Sequence, residues 1–208
     1  MGKIKELYIG EFSFFKKEIS KIFIIFMLLF LTVAIGTGIF IYNNEKIAIN
    51  LFEYIMQVFE QLNINQEPGI AMSIDLFLNN TKSAGVSILL GFVPFLFLPI
   101  IPVIFNAVIL GGLIAIYPMI GLPIGAALLG TIPHGIFEIS AIIYAVSLGI
   151  YLNICIFRKI IKSKKKNINM GEVLMHIVKS FILIIVPLLV IAALVEAFIS
   201  PVLMGLIL

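Results

Sequence analysis

The chain has 208 residues, of which 62% are hydrophobic and 12% charged, with a net charge of +3 and a mean hydropathy of +1.20. Soluble domains carry roughly 45–50% apolar residues on a count that includes glycine, and a protein this small has too much exterior to hide such an excess from water. Disorder is excluded for the opposite reason, because disordered chains are poor in aliphatic residues and rich in charge. Lipid is therefore the solvent for most of the chain, and a single all-α membrane helix bundle is the expected architecture.

The chain opens with a polar arm, residues 1–21, in which Ile4, Leu7, Tyr8, Phe12, Phe15 and Ile19 share one helical face. That pattern predicts an amphipathic helix lying on the cytoplasmic surface. From Ile22 to Tyr42 no charge occurs, and about 20 apolar residues suffice to cross a bilayer core. This is the first span, longer than the roughly 7–15-residue apolar core of a cleaved signal peptide. The segment 43–82 is polar. Within it Ile47, Leu51, Ile55, Val58 and Leu62 alternate at helical spacing with Asn50, Glu53, Gln57 and Glu60. A second amphipathic helix over 45–62 follows, one that lies on the bilayer or covers the bundle.

From Ser83 to Phe157 the chain carries one charge, Glu138. Prolines and glycines divide this block into spans at 84–105, 106–121 and 134–156. The stretch 122–133, bracketed by Pro123 and Pro133, is too short to cross and reads as a re-entrant half-helix, which survives at membrane depth only inside protein. The spacing of Gly121 and Gly125 reads as close packing, and Cys155 as a packing residue. A last span runs over 177–200 with Glu196 in it. Residues 22–208 thus form one integral membrane domain of five crossings plus a re-entrant piece, six crossings being the alternative.

Positive charge sets the expected orientation. Lys3, Lys5, Lys16, Lys17 and Lys21 precede the first span, and Arg158, Lys159, Lys162, Lys164, Lys165 and Lys166 lie in the loop 158–176. Segment 43–82 has only Lys46 and Lys82 against Glu45, Glu53, Glu60, Glu67 and Asp75. The positive-inside bias places the N-terminus and the 158–176 loop in the cytoplasm of a cell-membrane protein, and 43–82 outside.

Two carboxyl groups then need explaining, since an ionised group at mid-span costs about 2.5–3.5 kcal/mol even on the lenient scale. Glu138 follows His134 by four residues and so shares its helical face. Pro133-His134-Gly135 reads as the opening of the fourth span, where free backbone N–H groups and the positive end of the helix dipole would add donors. The expected topology brings Glu196, Asn79 and Asn80 to the same depth, and leaves Asn106 nearer the cytoplasm as a turn residue. The plain alternatives are an interhelical clasp for His134, Glu138 and Glu196, at about 0.6 kcal/mol per hydrogen bond, and a helix cap or turn for Asn79 and Asn80.

The pattern Asn79-Asn80, Gly91, Asn106, Gly111, Pro133-His134-Gly135-Ile-Phe-Glu138 and Ala141, closed by Ala192-Ala193-Leu-Val-Glu196-Ala-Phe-Ile-Ser-Pro201, resembles the stage II sporulation protein M family over nearly the whole chain. The resemblance implies a multi-pass protein with a shared membrane-embedded polar site. For the founding sporulation members it implies an anchor that holds a wall-degrading machine together during engulfment. It does not carry that role to this chain.

The expected function is a non-enzymatic scaffold for partner membrane proteins, docking through the outer helix and the basic loop. The alternative is a transporter or a lipid- or small-molecule-binding protein that uses His134, Glu138 and Glu196 in a cavity. An intramembrane hydrolase ranks below both, because no zincin ligand set occurs and neither Ser140 nor Ser147 has an evident base. No catalytic residue, metal or cofactor is predicted: Walker, Rossmann and zinc-cluster patterns are missing, and two histidines offer little for a metal site. The expected partners are the bilayer and membrane proteins rather than nucleic acid, with a homo-oligomer left open.

Overall fold

Inside a bilayer every backbone N–H and C=O must be paired within the protein, so long apolar runs fold as helices. A computed structural model describes residues 2–61, 67–161 and 168–207, and among them helix is the only regular structure. Leu62 of the predicted outer helix and Lys162, Lys164, Lys165 and Lys166 of the basic loop lie outside the described residues, as do the side chains of Ile55, Val58 and Glu60.

The N-terminal helix α1 (Gly2–Phe14) passes through a π-helical turn, Phe15–Ile19, into α2 (Ser20–Tyr42). Then come α3 (Glu45–Gln61), α4 (Ile70–Leu89), α5 (Ile100–Met119) and α6 (Ile124–Ile160). The C-terminal rod comprises α7 (Met170–Ser180), α8 (Val186–Leu194) and α9 (Ser200–Gly205), joined by π turns at Phe181–Ile185 and Val195–Ile199. Among the described residues, four continuous helices are long and apolar enough to cross a membrane: Ile4–Tyr42, Ile100–Met119, Ile124–Ile160 and Met170–Gly205. Helix α4, which carries Asp75, Asn79, Asn80 and Lys82, is not among them.

Lipid accounts for the distribution of side chains. On α2 Phe26, Phe30 and Ala34 face inward at a spacing of four, while Ile24, Ile25, Leu28, Leu31 and Ile35 are exposed. Such an outward apolar face would be unstable in water and is normal in hydrocarbon. Helix α6 is the hub: residues 141–150 are all buried, and it packs on α2, α4, α5, α8 and α9.

Glycines set the close helix approaches. A Cβ on Gly111 of α5 would overlap the Ala34 carbonyl of α2, and one on Gly149 of α6 would overlap the Ser87 carbonyl of α4. Small residues let backbones meet in this way where no hydrophobic effect drives helices together. The C-terminal π turns have a parallel cause. Each ends two residues before a proline, Pro187 or Pro201, and the wider turn gives room for a ring that would otherwise press on the carbonyl four residues back.

Several expected boundaries move. The segment 122–133 is not a separate half-helix: from Ile124 onward it forms the first turns of α6, which continues through Pro133. The spans expected at 84–105 and 106–121 become α4 and α5, because Pro94 and Pro99 place the break at the 93–99 connection. The last span extends from 177–200 to the rod beginning at Met170. The N-terminal arm is continuous with α2 rather than a separate surface helix, and its inward side carries Glu11, Phe14 and Ile19, whereas Ile4, Leu7, Tyr8 and Phe12 are exposed. Helix α3 covers the bundle, with Ala48 and Leu51 set against Ile41, Ala115, Ile116 and Met119. Gly121 is a turn residue with φ 80° and no close neighbour. Cys155 is buried in the core, in keeping with a packing role.

Candidate functional site

His134 and Glu138 project from one face of α6, a turn apart. Opposite them Glu196 and Ser200, also four residues apart, project from the rod, Glu196 within its second π turn. The His134 Nδ1 atom lies 3.1 Å from Ser200 Oγ, and Nε2 lies 3.9 Å from Glu196 Oε2. The second distance exceeds a hydrogen bond. One ligand atom each from His134, Glu138 and Glu196 lies within 4.8 Å of the others.

These groups line a cavity of about 430 Å³ between α4, α5, α6 and the rod. Asn79, Asn80 and Ser83 of α4 line it too, as do Asn106 of α5 and Tyr54 of α3. At about 1.5 Å per residue, His134 lies ~15 Å and Glu138 ~21 Å from the start of α6, so both are deep within the helix. The structure therefore brings His134, Glu138, Glu196, Asn79 and Asn80 to one cavity. Asn106 joins them as a mid-helix residue whose amide nitrogen bonds the Pro102 carbonyl, rather than as a cytoplasmic turn residue. Asn79 and Asn80 lie in the middle of α4 and cap nothing. Pro133 and Gly135 are interior to α6, so no helix N-terminus opens at His134. The free donors expected there are therefore missing, and Pro133 itself has no N–H to give.

Chemically, the arrangement can hold a polar or charged guest in hydrocarbon. Serines lie on these helices as well. Ser140 and Ser147 donate to their own helix at the Ile136 and Ile143 carbonyls. Ser200 meets the imidazole, is 4% exposed and is not among the residues that line the cavity.

A second polar cluster was not singled out in the sequence. Glu11, 2% exposed, is paired with His176 Nδ1 at 3.0 Å through Oε1. Its Oε2 accepts from Ser180 Oγ at 2.8 Å, and Ser180 accepts in turn from the Tyr144 hydroxyl. The apolar stripe of Ile4 and Leu7 did not point to it, because that stripe is exposed and the buried side runs through Glu11, Phe14 and Ile19 instead.

Long apolar helices around an inward-facing His/Glu cavity define a polytopic membrane protein. The sequence model of the stage II sporulation protein M family matches residues 23–201, and the chain belongs to that family. No curated protein and no solved structure matches it.

Proposed function

We propose that the protein is a non-enzymatic membrane protein that binds a small polar solute in the His134/Glu138/Glu196 cavity, in the manner of a transporter. One observation carries this reading: ionisable groups from α6 and the C-terminal rod converge on a polar cavity deep inside apolar helices. Intramembrane ionisable residues at such a position are functional by default, and cavities between packed helices are the usual sites for solutes. The test is native mass spectrometry of the full chain from mild detergent, with flux measured in proteoliposomes. Wild type should carry a small ligand and Glu138→Gln should not. Identical occupancy and flux in the two would remove the proposal.

A scaffold for partner membrane proteins is the second reading, in line with the family resemblance. It is favoured by α3, which packs on the bundle through Ala48 and Leu51 yet leaves Ile47, Ile49 and Phe52 exposed. A stoichiometric protein partner that co-purifies equally with wild type and Glu138→Gln, and is lost from an Ile49→Ser/Phe52→Ser variant, would put the scaffold ahead.

A further inference from the structure

We propose that His134 Nε2 and the carboxylates of Glu138 and Glu196 bind one divalent first-row transition-metal cation. The inference rests on the solute-binding reading and names the class of solute. Two carboxylates and an imidazole nitrogen within 4.8 Å of one another form a mixed nitrogen and oxygen donor set. On an ion with bonds of about 2.0–2.2 Å, ligand atoms sit roughly 3–4.4 Å apart, so small rotations of the two glutamates close the set.

The rest of the cavity supports a cation independently of that cluster. Asn106 has given its amide nitrogen to the Pro102 carbonyl, and Thr131 has given its hydroxyl hydrogen to the Ala127 carbonyl. Both keep oxygen lone pairs that can face the cavity, and Asn106 keeps its second amide N–H as well. Among the described residues no Lys or Arg lines it, and no hydrogen-bond donor reaches the Glu138 carboxylate. The continuity of α6 through Pro133 removes the positive helix end that would have favoured an anion. Ser200 holds Nδ1, which turns Nε2 to the carboxylates, the orienting role that an outer partner plays for a metal-binding histidine.

Charge and donor type decide the ion. Two carboxylates and a neutral imidazole carry −2, which a divalent cation cancels and a monovalent one does not, and uncancelled charge is costly at this depth. Calcium and magnesium prefer all-oxygen sites, whereas an imidazole nitrogen beside carboxylates suits zinc, iron or manganese. Three protein ligands leave coordination positions open. A cavity of about 430 Å³ has room for waters at ~30 Å³ each, as exchangeable cargo requires.

The experiment uses the full chain in mild detergent, stripped with a chelator, desalted, and titrated with Co²⁺ and then Zn²⁺. The expected result is one equivalent of Co²⁺ per chain with visible d–d bands, displaced by Zn²⁺. His134→Gln and Glu138→Gln should each weaken binding at least 10-fold, Ser200→Ala about 10–100-fold, and Glu172→Gln should leave it unchanged. Size exclusion and thermal melting of the stripped proteins establish which variants are folded. Should His134→Gln fail to fold, the wild-type cobalt spectrum and Ser200→Ala carry the test. No stoichiometric uptake by wild type, or equal uptake by folded variants, overturns the proposal. An organic solute lost in Glu138→Gln, without metal uptake, overturns the metal and leaves the cavity reading standing; no ligand of either kind overturns both.

Discussion

Glu11 Oε1 and His176 Nδ1 lie 3.0 Å apart although 165 residues separate them. The contact ties the N-terminal helix to α7, with the Phe14 ring stacked on the imidazole at 4.4 Å. Breaking a buried pair by removing one partner costs roughly 3–5 kcal/mol. His176 is 37% exposed at its side chain, so solvent screens part of the interaction. Glu11→Ala should therefore destabilise by about 2–3 kcal/mol. Glu11→Gln should cost less, because its carbonyl still accepts from Ser180. Thermal melting in detergent checks both, and equal melting temperatures for wild type and Glu11→Ala would reduce the cluster to decoration.

Helix contacts offer a paired test. Gly111→Ala drives a methyl group into the Ala34 carbonyl, which is backbone and cannot rotate away, so α2 and α5 must separate. Overpacking of this kind costs about 1–3 kcal/mol. Gly36, on the same α2, has nothing within 4 Å of its would-be Cβ. Gly36→Ala should then be neutral or slightly stabilising through helix propensity. If the two variants melt alike, the close approach is not what holds these helices together.

Hydropathy made the all-α membrane class and most helices legible, because burial in lipid needs only apolar length. Where helices end was less legible. Pro133 looks like a helix start, yet α6 passes through it, because neighbouring helices support a proline within a membrane helix. Asn79 and Asn80 look like caps for the same reason that Asn106 looks like a turn: propensity scales describe water, and in α4 and α5 these residues face a polar cavity instead. The convergence of His134, Glu138 and Glu196 followed from counting charges against span direction, a global constraint. The Ser200 contact did not, since it depends on the π turn at Val195–Ile199, a backbone feature with no residue signature beyond the following Pro201. Glu11 was hidden by being one charge among several in an otherwise ordinary amphipathic arm.

The connection between α4 and α5 depends on one side chain. Asn153 of α6, 1% exposed, donates to the Val93 carbonyl at 2.6 Å. Beyond it Phe95 and Phe97 take φ of 76° and 47°, values that bulky residues rarely adopt and that persist only where surroundings enforce them. Asn153→Ala should cost about 1–2 kcal/mol. It should also raise amide hydrogen exchange at residues 93–99 more than in α5. Uniform exchange along the chain would show that the connection is held by other contacts.

Orientation is testable without purification. The excess of lysine and arginine before α2 and after α6 predicts both segments on the cytoplasmic side, with α3 outside. That arrangement requires an odd number of crossings between α3 and the basic loop, so α4 would have to cross along with α5 and α6 although it is less apolar than the four candidate spans. Cys155 is buried, so single cysteines can be introduced over a low background. Lys46→Cys should react with a membrane-impermeant maleimide in intact cells, whereas Lys164→Cys should react only after permeabilisation. The reverse pattern would invert the protein. Labelling of both in intact cells would mean that α4 does not cross.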